Sequence, residues 1–156
     1  MEHRVNVNET EPGAYKAIYA LEAYLSTTQL TKKQKDLIKL RASQINRCAY
    51  CIDMHSRDAI KNGESLQRIF LLNAWRETTL FTEEEKAILS ITEEITQIAN
   101  SGLSDETYQK AEQLFDKHFI VQIIMAVVAI NAWNRIAVST NLGFEIIPNT
   151  AATGKF

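Results

Sequence analysis

No proline stands between Pro12 and Pro148, and only five glycines are spread over the 156 residues. A chain so free of backbone breakers favours long regular elements, and its apolar spacing says of which kind. Ala14, Ile18, Leu21 and Leu25 recur at intervals of three and four, the period of a helix with one buried face. Thr31-Lys-Lys-Gln34 and Thr82-Glu-Glu-Glu85 read as capping boxes: the threonine oxygen accepts from the amide three residues on, and that residue's side chain reaches back. The acids of the second box lie in a first turn, where the helix dipole favours them. No segment alternates with period two for long enough to make a strand, Val5 and Val7 being too isolated. The expected fold is all-α, with about seven helices.

The breaks follow from turn chemistry. Residues 1–13 read as an extended segment ending at Pro12-Gly13, residues 14–140 as one helical domain, and residues 141–156 as an irregular tail. Within the domain the spacing predicts helices from residue 14, from the Thr31 box to Ile45, and from near Cys48 to Asn62-Gly63. Further helices are expected over roughly 65–77, 82–99, 104–116 and 119–140. The break before Cys48 is placed at Asn46-Arg47, because asparagine tolerates the left-handed conformation that closes a helix. The last helix is apolar on nearly every side over its first three turns, the pattern of a helix buried in a domain centre or a subunit interface.

This length fits one domain that needs no disulfide staples. The net charge of -2 gives no reason to expect nucleic acid or an anionic membrane as partner. The first fifteen residues lack the apolar run of a secretory signal. The apolar run from Phe119 to Ile130 is short for a bilayer and contains Gln122. The protein therefore reads as cytoplasmic. In a reducing compartment a lone cysteine pair points to catalysis, redox sensing or metal binding rather than to a structural staple.

That pair is Cys48 and Cys51, spaced C-x-x-C, with His55 four residues on. A thiol reacts as its thiolate, and an unperturbed cysteine, with a pKa of about 8.5, is a few per cent ionised at neutral pH. A helix starting near Cys48 would set unpaired amides and the positive end of its dipole beside the sulfurs. Other readings of the same pair stay open. Structural zinc wants four ligands, and the fourth would have to be His3, His118 or a carboxylate, none in a second cluster. A thioredoxin-like setting wants a preceding strand, and two packed core thiols want nothing.

Spacing adds a geometric expectation. Positions 48, 51 and 55 share one helix face. In an antiparallel hairpin about Asn46-Arg47, Asp36 lies about ten residues before the turn and His55 about nine after it, at nearly one level. A carboxylate would then orient an imidazole, and the imidazole would handle a thiol proton. One internal echo, LNAWRE and INAWNR, fits either an old duplication or shared core pressure. Trp133, Asn134 and Arg135 within it could line a substrate pocket, but they are read as structural, Trp133 as a core residue and Arg135 as a partner for an acid at an interface.

The segment LRASQINRCAYCIDMHSRDA resembles the core of the AhpD-like alkylhydroperoxidases of the carboxymuconolactone decarboxylase family, and YALEAYL, NAWRET and AINAWNRIA extend the similarity from about Tyr15 to Ala137. The group's pattern is Glu, eleven residues, Cys-x-x-Cys, three residues, His; here Asp36 stands where the glutamate is expected. The resemblance implies an all-helical fold, a homo-oligomer, often a trimer or hexamer, and a peroxidase cycle without a cofactor. By carry-over Cys51 attacks the hydroperoxide, Cys48 resolves the sulfenic acid to a disulfide, a dithiol reductant reopens it, and His55 with Asp36 relays protons. Aspartate is one methylene shorter than glutamate, and Tyr50 replaces a histidine found between the cysteines in the best-known members. Tyr50 is read as a pocket wall. The family's ring decarboxylases lack the dithiol, so Cys48 and Cys51 argue against that chemistry.

Overall fold

The computed structural model describes residues 2–146, and these are all helix and connection, with no strand among them. The helices are α1 (Val7–Thr10), α2 (Pro12–Ser26), α3 (Lys32–Ile45), α4 (Ala49–Lys61), α5 (Leu66–Leu71), α6 (Glu83–Thr96), α7 (Ile98–Ser101), α8 (Asp105–Glu112) and α9 (Lys117–Thr140), with a 3-10 segment at Leu72–Glu77. Both expected capping boxes are present: Gln34 and Glu85 return the bonds that Thr31 and Thr82 accept.

The core explains why α3 holds the site. Ile38 and Ala42 of α3 join Ile88 and Ile91 of α6 and Ile123, Val127 and Ile130 of α9 in one buried cluster. Leu37 and Leu40, on the other side of the same helix, join Ala59, Leu72, Trp75 and Leu89 in a second. Burying each leucine, isoleucine or valine side chain among them is worth roughly 1.5–3 kcal/mol. With both flanks buried, α3 is a fixed post against which α4 is set.

Two helix ends define the site. At the end of α3 the Cys48 amide donates to Ser43 O at 3.0 Å and the Arg47 amide to Gln44 O at 3.2 Å. This is a Schellman closure. Its left-handed residue is Arg47 (φ 55), not Asn46. Asn46 stays right-handed because its amide is engaged by Asn131 and Asn134 of α9. The end of α9 repeats the motif: Asn141 takes the left-handed conformation (φ 54) and Leu142 N donates to Ala137 O at 2.9 Å, which turns the chain back toward Cys48. At the end of α4 the expected Gly63 is left-handed (φ 87).

Several expectations are corrected. Residues 1–13 are not simply extended: Asn6 Oδ1 caps α1 by accepting from the Asn8 and Glu9 amides, α2 begins at Pro12, and Arg4 N donates to Thr140 O at 2.9 Å. The helix over 65–77 is interrupted at Ala74 (φ -116, ψ 24), which turns Trp75 inward to donate its indole N–H to Glu93. The helix from Thr82 ends at Thr96, and α7 follows it. Within this chain α9 is not buried all round, since Val121, Val128 and Val138 are 51%, 43% and 47% exposed. Residues 142–146 have no regular secondary structure; the rest of the expected tail lies outside the described residues.

Candidate active site

Cys48 serves two helices at once. It follows the left-handed residue that closes α3, and it is the N-cap of α4, its Sγ accepting from the Cys51 amide at 3.3 Å. The N-cap geometry fixes the sulfur against the positive end of α4. Cys51 lies three residues on, and the two are joined as a disulfide across a Cα–Cα distance of 5.3 Å. Both are nearly sealed, at 1% and 2% exposure, beneath Ala137, Tyr50 and Leu142.

Cys51 and His55 line one cavity of about 380 Å³. Its apolar wall is aromatic: the rings of Tyr15 and Tyr19 meet Trp133 edge-on at centroid distances of 5.2 and 5.3 Å. Such contacts hold rings rigidly and leave a hydrophobic surface facing the sulfur. Tyr50 is in this wall, as expected. Charge enters from Glu22, Lys39 and Asp58. Glu22 bonds Lys39 Nζ at 3.2 Å and accepts from Trp133 Nε1 at 3.1 Å, joining α2, α3 and α9 at the cavity edge.

Burial, with Lys39 nearby, lowers the pKa of His55 from 6.5 to about 4, against weaker opposing pulls from Asp58 and Glu22. Its Nδ1 is 4.0 Å from Asp58 Oδ2, which is no ion pair when the ring is neutral and too long for a hydrogen bond. At neutral pH His55 is therefore an uncharged imidazole, the form that accepts a proton; the burial that keeps it neutral also weakens it as a base, and the charge of a thiolate forming beside it would offset part of that. The same shift carries a stability consequence. The unfolded chain binds a proton at its ordinary value while the folded chain does not, so stability falls as pH drops from 6.5 toward 4. Between pH 7 and pH 5 the expected loss from His55 is about 2 kcal/mol. Asp36, raised by burial, opposes this in acid. Urea unfolding at the two pH values should show a His55→Gln variant with a smaller loss than the parent chain; equal losses would show that His55 is not held neutral by the fold.

Asp36 is not placed where the level argument expected it. Its carboxylate accepts from Asn62 Nδ2 at 2.8 Å, seven residues and roughly 10 Å along α4 from His55, and it does not line the cavity. The reason lies in the turn. Counted from the helix ends, His55 is six residues into α4 and is matched by Lys39, six residues from the end of α3; Asp36, nine from that end, is matched by Asp58. Measuring from Asn46-Arg47 ignored the three-residue connection and the unequal share each helix takes of it. The structure thus brings together Cys48, Cys51 and His55, with Asp36 apart. Reasoning from sequence missed Glu22 and Lys39 as cavity groups. The signal for Glu22 was present, since it stands inside YALEAYL at a helical interval from Tyr15 and Tyr19.

Among the described residues no group of three His, Cys, Asp or Glu side chains is placed to hold a metal ion.

The family profile described as the carboxymuconolactone decarboxylase family matches residues 12–94, from α2 into α6, with the dithiol at its centre. A curated relative, the uncharacterized protein YdfG of Bacillus subtilis strain 168, is 39% identical over 139 residues, covering 89% of this chain and 95% of the relative. The chain belongs to the carboxymuconolactone decarboxylase family. Among solved structures it is similar to a protein of unknown function from Agrobacterium tumefaciens, whose name places it provisionally with AhpD in antioxidant defence. The identity is 40% and the TM-score 0.90, over 94% of this chain and 100% of that one. An AhpD-core, peroxidase-related protein from Ralstonia eutropha (TM-score 0.76, 16% identity, covering 88% of this chain and 73% of that one) and the debrominase Bmp8 (0.74, 17%, covering 88% and 74%) share the fold. Family and fold make this an AhpD-like helical protein, and its dithiol is consistent with a peroxidase-like antioxidant role.

Proposed function

We propose that the protein is a thiol-dependent peroxidase that reduces small hydroperoxides through a Cys48–Cys51 dithiol–disulfide cycle. One observation carries this reading: Cys51 and the neutral His55 line the same apolar cavity, while Cys48 is bonded to Cys51 and caps α4. His55 accepts the Cys51 thiol proton. The thiolate attacks the hydroperoxide, the O–O bond breaks, and the alcohol leaves with a proton as Cys51 becomes a sulfenic acid. Cys48 then attacks that sulfur, expels water and closes the disulfide. A dithiol reductant, the second substrate class of the cycle, restores both thiols. Asp36 supports His55 at one remove, by holding Asn62 at the end of the helix that carries the histidine. The exposed Val121 and Val128, seven residues apart on one face of α9, support assembly as a homo-oligomer, a trimer or hexamer, and the cytoplasm is the compartment in which the pair would be reduced between turnovers.

A second reading, a dithiol–disulfide carrier serving partner proteins, draws on the position of Asp36 outside the cavity, which leaves the relay without its expected acid. One assay separates the two. Prereduced protein mixed with stoichiometric tert-butyl hydroperoxide or hydrogen peroxide is expected to lose two thiols per peroxide within seconds. Thiol loss no faster than that of free dithiothreitol would sink the peroxidase reading in favour of the carrier.

A further inference from the structure

The two sulfurs of the disulfide do not face the same space. Cys51 lines the cavity that holds His55, and Cys48 does not. Cys48 instead lines a second cavity of about 220 Å³, in which neither Cys51 nor His55 takes part. Tyr50, Ala137 and Leu142 are common to both and form the partition between them. We propose that the disulfide is served from two sides: peroxide reaches Cys51 through the first cavity, and a dithiol reductant reaches Cys48 through the second. The proposal rests on the peroxidase reading for its first half and on the disulfide alone for its second.

The second cavity is built for a thiolate. Its lining includes exposed Arg47 and Ala49, which flank Cys48 in sequence, and Val138 and Phe144. Arg47 holds the left-handed conformation that the Schellman closure of α3 requires, which fixes its backbone beside Cys48. Its guanidinium gives the cavity a positive charge, suited to an anionic nucleophile. The opposite lip is set by the matching closure of α9, which returns Leu142, Gly143 and Phe144 over the sulfur.

The exchange balances as two displacements. One reductant thiolate bonds to Cys48 Sγ, the Cys48–Cys51 bond breaks, and the electron pair departs on Cys51 into the cavity with His55. The reductant's second thiolate then attacks its own sulfur in the mixed disulfide and closes a disulfide within the reductant. Cys48 leaves as a thiolate facing the Cys51 amide at the start of α4. The reductant is oxidised by two electrons, the protein disulfide is reduced by two, and the reductant's two protons pass to the protein thiols. The first displacement thus delivers the Cys51 thiolate directly into the space where peroxide reacts.

Variants that fill one cavity only provide the test. Val138 and Ala49 line the second cavity and not the first; Ile136 lines the first and not the second. Single-turnover reduction of the preformed disulfide by dithiothreitol is measured beside oxidation of the prereduced protein by tert-butyl hydroperoxide. Val138→Trp is expected to slow reduction at least tenfold and leave oxidation within twofold, Ile136→Trp to do the reverse, and Ala49→Phe to repeat the first result at a second exposed position. The proposal is overturned if Val138→Trp and Ala49→Phe both leave reduction within twofold, or if Ile136→Trp slows reduction as much as it slows oxidation. The reduction arm contains no peroxide, so a parent protein inert to peroxide would remove the peroxidase reading while this arm still reports which side the reductant uses.

Discussion

Cys51→Ser is expected to lower the rate of peroxide-driven oxidation by on the order of 10³-fold or more, because it removes the thiol that shares a cavity with His55, Met54 being the other sulfur there and a thioether. Cys48 would remain, with its sulfur at the N-terminus of α4, but it lines a different cavity and has no imidazole beside it there. The matching variant should behave differently. Cys48→Ser keeps the nucleophile and its base, so it should consume one equivalent of peroxide at close to the parent rate and stop at a Cys51 sulfenic acid. A dimedone adduct located by peptide mass would mark that species. Stopped-flow mixing of each prereduced variant with tert-butyl hydroperoxide gives the rates. If Cys51→Ser oxidised as fast as the parent while Cys48→Ser was inert, the roles assigned to the two sulfurs would have to be exchanged.

What could be read from the sequence was whatever local chemistry decides. Thr31 and Thr82 state their helix starts in four residues each, and Gly63 states a helix end, because each bond involved closes within a single turn. The face shared by Cys51 and His55 follows from a separation of four. Features set by distant partners were not legible in this way. Asn46 has the chemistry of a left-handed residue, yet α9 engages its side-chain amide, and the left-handed conformation falls to Arg47. Ala74 breaks a helix that its own segment favours, because the indole of Trp75 reaches Glu93 on α6. Asp36 and His55 were matched by counting from a turn whose shape depends on the same α9 contacts. The N-A-W echo illustrates both cases. Trp75 donates to Glu93 and Trp133 to Glu22, and each glutamate also pairs with a cation from α3, Arg41 or Lys39. The tryptophans thus play parallel parts, whereas Asn73 is exposed and Asn131 is buried.

The asparagines of α9 lead to the largest stability effect expected. Asn134 is 1% exposed; its Oδ1 accepts from Asn46 Nδ2 at 2.9 Å and its Nδ2 donates to Ser43 Oγ at 3.1 Å. Asn131 accepts from the same Asn46 amide at 3.0 Å and donates to Thr96. These bonds tie the last turn of α3 to the middle of α9, immediately before the left-handed Arg47 and the N-cap Cys48. Asn134→Ala removes one buried and one partly buried bond and leaves a space among side chains that cannot all close over it. Ser43 keeps its bond to Lys39 O and Asn46 keeps Asn131, so the loss is partial. The expected cost is about 2–3 kcal/mol, or roughly 5–10 °C in Tm for a domain of this size. Urea unfolding of the oxidised protein measures it, and a change under about 0.5 kcal/mol would be no larger than a surface substitution gives, so the network would not be what holds the turn. The same variant should also slow disulfide closure after peroxide attack more than it slows the attack itself. Cys51 and His55 are carried by α4, whereas the sulfur that must reach Cys51 belongs to the residue held in place by the turn.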